Sequence, residues 1–214
     1  MNMKILKVNT SQIEGIKVIR FARFCDHRGY FTEHYRKSDF KNLKEMAFVK
    51  DVDFIQCNES YSKNGTVRGL HFQWNPYMGK LVRTLTGRMI DMVLDIRKGS
   101  PAYGKMLLYD MPADHKGDYH EWIWVPPGFA HGNFFPEDTL IEYFCSGQYN
   151  PSCEAAISPL AEDIDWQFCD ANLKRLFDSI VPATSLISDK DKNGLSVDEW
   201  NHDERSNNFV YGRL

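Results

Sequence analysis

No apolar run in this 214-residue chain approaches the roughly 20 residues needed to cross a bilayer, which excludes a transmembrane helix. The first residues, MNMKILKVNTSQIEG, lack a long apolar stretch and a small-residue cleavage site, so no secretory signal is expected and a cytosolic protein is. Excess charge of one sign is also missing. With 26 Lys+Arg against 29 Asp+Glu the net charge is −3, too little positive charge for a protein held on nucleic acid by phosphate contacts. Cysteine is sparse and unpaired in pattern. Five residues (Cys25, Cys57, Cys145, Cys153, Cys169) with no C-x-x-C spacing exclude a disulfide framework and a thiolate zinc site. All but Cys153 follow an aromatic residue or Gln56 in strand-like or apolar stretches, and are expected to be reduced core thiols. No internal repeat and no low-complexity block is present.

Aromatic residues are abundant, at 14%, and recur in short β-branched runs broken by Gly, Pro and Asn. Strands are expected over Ile16–Phe24, Tyr30–Tyr35, Phe54–Tyr61, Thr66–Gln73, Lys80–Thr86, Arg88–Ile96, Lys105–Asp110, Trp122–Val125 and Leu140–Ser146. Asp26-His27-Arg28-Gly29 reads as a turn, Thr86-Gly87-Arg88 as a hairpin, and Ser38 as the N-cap of a short helix Asp39–Met46. Many short strands joined by turns point to an antiparallel sandwich or barrel. The pattern changes near residue 160. Leu173, Leu176, Phe177 and Ile180 recur at helical intervals, and Asp198–Leu214 is a polar stretch that is either a mobile tail or a strap over a neighbouring surface.

Two segments carry the chemistry. GTVRGLHFQ (Gly65–Gln73) places Arg68 and His71 on one strand with Gly69 between them. A lone strand histidine is ordinarily a packed residue, but VPPGFAHG (Val125–Gly132) presents a second one, His131, beside small residues where a ligand can approach the backbone. Strict alternation would put Arg68 and His71 on opposite faces, so either Gly69 marks a bulge or the two serve different sites.

These segments, with FCDHRGYFTE (Phe24–Glu33), FIQCNES (Phe54–Ser60), GKLVR (Gly79–Arg83), DIRKGSPAYGK (Asp95–Lys105) and SDKD (Ser188–Asp191), occur in an order that resembles the dTDP-4-dehydrorhamnose 3,5-epimerase family. The resemblance implies an all-β, cupin-type jelly roll (a double-stranded β-helix) with short peripheral helices. It also implies a homodimer with strand exchange, no cofactor and no metal. Residues 1–192 are then the epimerase domain and 193–214 a polar C-terminal tail. The implied substrate is a nucleotide-linked 4-keto-6-deoxyhexose, whose C3 and C5 protons are acidic because the C4 carbonyl can take the charge as an enolate. A base near neutral pKa, a cation at the enolate oxygen and an acid on the other ring face are needed. By resemblance these are His71 with its carboxylate partner Asp191, then Lys80, then Tyr143. Arg28 and Arg68 would meet the diphosphate, with Arg28 acting in the partner's site. Glu33, Gln56, Asn58 and His131 would bind substrate. Phe144 and Gln148 depart from the family, where lysine and a base-stacking aromatic residue are common.

Three other readings compete. A metal-dependent cupin needs two histidines one residue apart with a following glutamate, and only His71, Phe72 and Gln73 stand there. DKDKNGLSVDE (Asp189–Glu199) opens like a calcium loop but is one residue short of the bidentate glutamate, and Pro182 spoils the helix that should enter it. A non-catalytic sugar-nucleotide binder would have no use for His71, Lys80, Tyr143 and Asp191 together. Within the epimerase chemistry, inversion at one centre only is the remaining alternative.

Overall fold

Alternating apolar and polar residues produce two antiparallel sheets facing each other, in a computed structural model that describes residues 3–181 and 186–214. The strands are β1 (Ile5–Thr10), β2 (Lys17–Ala22), β3 (Phe24–Asp26), β4 (Gly29–Phe31), β5 (Gln56–Ser62), β6 (Val67–Gln73), β7 (Lys80–Thr86), β8 (Arg88–Asp95), β9 (Met106–Pro112), β10 (Tyr119–Val125), β11 (Phe129–Phe134), β12 (Thr139–Cys145) and β13 (Glu154–Ala156). The first sheet has the order β1-β2-β10-β7-β12-β5 and the second β13-β6-β11-β8-β9, while β3 and β4 form a separate hairpin. This is the expected jelly roll. Its helices, α1 (Lys37–Asn42), α2 (Ala171–Ile180), α3 (Asp189–Lys192) and α4 (Val197–His202), lie at the periphery.

Val82, Ile123 and Ile141 of the first sheet meet Met89, Val93, Leu107 and Phe129 of the second in the central core. Each sheet is covered on its outer face as well. Phe40, Met46 and Val49 close over Phe21, Trp122 and Trp124. On the other side Phe177 of α2, Trp200 of α4 and Phe209 close over Leu70, Phe72, Met92 and Leu94. Strand β8 is therefore buried on both faces, and its apolar run RMIDMVLD reflects that.

The polar C-terminal stretch is a strap on this outer layer. Trp200 and Phe209 are each 0% exposed, Val210 bridges to Lys98, and the Tyr77 hydroxyl donates to the Asn208 carbonyl at 2.8 Å. Its polar character comes from the solvent face and from caps, such as the reciprocal Ser196–Glu199 capping box at the start of α4. Glu199 thus serves a helix end, and Asp189–Lys192 forms a helical turn, α3. Pro182 lies outside the described residues.

Several expectations are corrected. Gly87 makes a corner, not a hairpin: β7 lies in the first sheet and β8 in the second. Its φ is +78°, and a Cβ there would come within 2.3 Å of the Asp138 carbonyl oxygen. Helix α1 starts at Lys37, one residue before Ser38, and Arg36 caps it without a side-chain bond. The chain leaves the helix at Leu43 and continues as a 3₁₀ turn over Lys44–Val49. Strand β11, which follows the Pro126-Pro127-Gly128 turn and contains Gly132, was not among the expected strands, and neither were β1 and β13. Only Cys145 is a buried thiol; Cys25 and Cys57 are exposed because they sit on the outward face of a hairpin and an edge strand.

If the strap is part of the core, Trp200→Ala should cost about 3–5 kcal/mol of stability. A urea midpoint unchanged by the substitution would mean the strap is only draped on the surface.

Candidate active site

The site is built around a defect in β6. Its pairing with β11 matches His71 to His131 and Arg68 to Asn133, so Gly69 and Leu70 together oppose Gly132. This bulge restores the phase that strict alternation would lose, and Arg68 and His71 both line one cavity. Two glycines permit it. Gly69 has φ +111°, and a Cβ on it would come within 2.5 Å of Gly132 Cα; a Cβ on Gly132 would come within 2.3 Å of the Arg68 carbonyl oxygen. The small residue after His131 is therefore occupied by the neighbouring backbone before any ligand arrives.

The mouth between the sheets holds two adjoining cavities of about 510 and about 230 Å³. His71, Lys80, His131 and Tyr143 line both. Arg68 and Asp191 line the larger, and Gln56 and Asn58 the smaller. Lys80 begins β7 and faces Cys145 of β12, two residues from Tyr143, which itself sits opposite Asn58 of β5.

His71 Nε2 lies 2.7 Å from Asp191 Oδ1, although 120 residues separate them. Asp191 reaches it from α3, which is anchored by the Ser188 cap, by Ser158 Oγ donating to the Lys192 carbonyl at 2.9 Å, and by the Ile157–Leu195 bridge. Burial pushes the Asp191 carboxyl up, but the bond and charge of His71, with hydrogen bonds from Ser188 and the Gly69 backbone, hold it below the usual carboxylate range. An ionised carboxylate only accepts, so in the neutral form of the ring the hydrogen is on Nε2 and the lone pair on Nδ1.

A second imidazole–carboxylate pair stands behind the first. His131 Nε2 is 2.9 Å from Asp91 Oδ2, which also accepts from Asn133 Nδ2 at 3.1 Å. Asp91 is fully buried and was missed from the sequence. The signal was available: a carboxylate in the middle of an otherwise apolar buried strand requires a partner. Lys190, which lines the larger cavity, and Glu154, which lines the smaller, were missed too.

Burial tunes the opposite wall. It pushes the Lys80 ammonium down, partly offset by Cys145, Glu154 and Asp91. It pushes the Tyr143 phenol up, a shift that Cys145 reinforces and that Asn58 and Arg68 oppose. The phenol thus stays protonated at neutral pH.

Two expected residues do not reach the cavities of their own chain. Arg28 sits at the tip of the β3–β4 hairpin, 78% exposed and 2.6 Å from Asp26. Glu33 pairs with Arg36 at 2.6 Å. Gln148 contributes its carbonyl to Gln73 at 2.9 Å, and Phe144 stacks on Trp122 in the outer core. An aromatic ring nonetheless lines the smaller cavity, from Tyr149.

A jelly roll whose mouth gathers a carboxylate-bound imidazole, an ammonium and a phenol has the fold and site of a cupin-type isomerase. A sequence profile of the dTDP-4-dehydrorhamnose 3,5-epimerase family matches residues 10–199, and the chain belongs to that family. It is 33% identical to dTDP-4-dehydrorhamnose 3,5-epimerase of Shigella flexneri over 88% of this chain and 94% of that one. Among solved structures it is similar to the dTDP-6-deoxy-D-glucose-3,5-epimerase of Legionella pneumophila in complex with dTDP-4-keto-L-rhamnose, with 29% identity, a TM-score of 0.73, and coverage of 92% and 94% of the two chains. It is also similar to a 3′-monoepimerase from Streptomyces bikiniensis in complex with dTDP-quinovose, with 26% identity, a TM-score of 0.72, and coverage of 89% and 87%.

The depressed Lys80 should lose its charge at a lower pH than an ordinary lysine, for which the reference value is 10.5. The alkaline limb of kcat/KM is expected to lie below that value and to move up in Lys80→Arg, because guanidinium stays charged. An unmoved limb would show that another group sets it.

Proposed function

We propose that the chain inverts C3 and C5 of dTDP-4-keto-6-deoxyglucose to give dTDP-4-keto-rhamnose, with no cofactor. The observation that carries this reading is the 2.7 Å His71–Asp191 bond in a cavity that Lys80 and Tyr143 share. His71 Nδ1 takes the proton from carbon. The C–H electron pair moves through the new C=C bond to the C4 oxygen, where Lys80 stabilises the enolate. Asp191 stabilises the imidazolium and holds the ring, as the carboxylate does in a catalytic triad. Tyr143 then donates its hydroxyl proton to carbon from the opposite face of the sugar. Arg68 binds the diphosphate, and Gln56, Asn58 and His131 contact the nucleotide and sugar.

The active form in this reading is a homodimer in which the β3–β4 hairpin enters the partner's site, bringing Arg28 to the diphosphate and Glu33 to the sugar nucleotide. Supporting it are the hairpin's lack of a sheet to join and its bare aromatic side chains, with Phe24 39%, Tyr30 41% and Phe31 68% exposed. Residues 1–192 form the catalytic domain and 193–214 an appended strap. The setting is cytosolic; the five cysteines are free, and among the described residues no helix is long and apolar enough to cross a membrane.

Proton NMR of dTDP-4-keto-6-deoxyglucose with the protein in deuterium oxide tests the reaction. Deuterium should enter at C3 and C5, and His71→Asn should slow this by at least about a thousandfold. Exchange at C3 alone would place the chain with single-centre epimerases, and undiminished exchange in the variant would remove His71 as the base. Subunit crossing has its own test. Arg28→Ala and His71→Asn chains, each weakly active, should recover about a quarter of full activity when refolded together, because half the dimers then carry one intact site. No recovery would mean Arg28 acts within its own chain.

A further inference from the structure

His71 faces a second carboxylate. Glu154 begins β13, next to β6, and its Oε1 lies 3.9 Å from His71 Nδ1, the nitrogen that Asp191 does not occupy. The Glu154 side chain is only 10% exposed. Its other oxygen, Oε2, accepts from Lys190 Nζ at 2.7 Å and from the Tyr149 hydroxyl at 3.0 Å. These two donors fix Oε2 and turn Oε1 toward the ring. Lys190 adjoins Asp191 on α3, so one helical turn holds one carboxylate directly and steers the other through an ion pair.

A distance of 3.9 Å is too long for a hydrogen bond to a neutral imidazole but well within range of an imidazolium charge. Glu154 therefore interacts more strongly with the state after proton transfer than with the state before it. That difference is what accelerates a step.

We propose that Glu154 is a positioning residue of the base: a second carboxylate, steered by Lys190 and Tyr149, that stabilises the imidazolium formed when His71 Nδ1 takes a proton from carbon. The proposal rests on the epimerase reading of His71. In balance, the proton passes from carbon to Nδ1 and the electron pair to the substrate's C4 oxygen, while Glu154 takes no part in the proton transfer. The other groups around the ring are Asp191 of α3, His131 of β11, Lys80 of β7, Tyr143 of β12 and Arg68 on the same strand. Among the cations, Lys190 is the one ion-paired to Glu154, so it tempers the carboxylate's pull on the ring.

The test is the titration of the His71 ring in the free protein, followed by NMR on carbon-13-labelled histidine and assigned with His71→Asn. Glu154→Gln removes a negative charge beside the cationic form, so the midpoint should fall, by about one pH unit. Lys190→Met unmasks Glu154, so the midpoint should rise, by about half a unit. Glu154→Asp should fall between Glu154→Gln and the unsubstituted chain, which keeps the test valid if glutamine at that position does not fold. In turnover Glu154→Gln should lose about tenfold in kcat with KM within about twofold. Midpoints that stay put, or that move the same way in Glu154→Gln and Lys190→Met, would overturn the proposal. The titration uses no substrate. Failure of the epimerase reading would appear separately, as no turnover of the 4-keto sugar by the unsubstituted chain.

Discussion

The hydrogen bond between His71 and Asp191 is the constraint on which the rest of this molecule depends. It joins the middle of β6 to a single helical turn near the end of the chain, and neither residue can reach the other without help. On the strand side the help is the Gly69 bulge, which turns His71 to the face already used by Arg68 and needs the facing Gly132 to make room. On the helix side it is the anchoring of α3 against Ile157 and Ser158, where Gly194 lies so close that a Cβ would come within 2.6 Å of the Ser158 nitrogen. The same Gly69 whose bulge aims the imidazole also offers its backbone amide to Asp191, so one defect in one strand serves both partners.

The two sheets divide the electrostatic work. The second sheet and its covering layer supply imidazoles bound to carboxylates, His71 with Asp191 and His131 with Asp91. The first sheet supplies an ammonium and a phenol, Lys80 and Tyr143, which in the proposed reaction handle a negative oxygen and a returning proton. Burial shifts the latter two in opposite directions, the ammonium down and the phenol up, because desolvation disfavours whichever form is charged. A ligand held between the sheets meets the carboxylate-bound imidazoles on one side and the ammonium and phenol on the other. That polarity is what a reaction removing a proton from one ring face and returning it to the other requires.

Much of this was legible in the sequence because it is written in local patterns. The period-two runs reported the strands, and Lys80–Thr86 emerged with its observed limits. The phase conflict between Arg68 and His71 left two choices, a bulge at Gly69 or two separate sites, and the pairing of β6 with β11 has the bulge. Other features were silent because their cause is not local. Thr86-Gly87-Arg88 has the chemistry of a hairpin, and only the path of the whole chain decides that it turns a corner between sheets. GFAHG was not among the expected strands, because the purpose of its second glycine, Gly132, lies in the close approach of β6. The polar tail hid two fully buried aromatic residues, Trp200 and Phe209, spaced too far apart to form a periodic signal. Asp91 and Glu154 acquire meaning only through partners 40 and 83 positions away in the sequence. Arg28 and Glu33 came from family resemblance alone, and within one chain they remain apart from the cavities.

The central claim is that a carboxylate-held imidazole faces the carbon that loses its proton. The most direct measurement is a crystal structure of this chain with a dTDP-hexose that lacks the 4-keto group and so cannot react. The account predicts His71 Nδ1 within roughly 3–3.5 Å of C3 or C5, with Asp191 still on Nε2 and the Tyr143 hydroxyl across the sugar ring. A hexose bound with both carbons out of reach of His71, or presented to another group altogether, would contradict it.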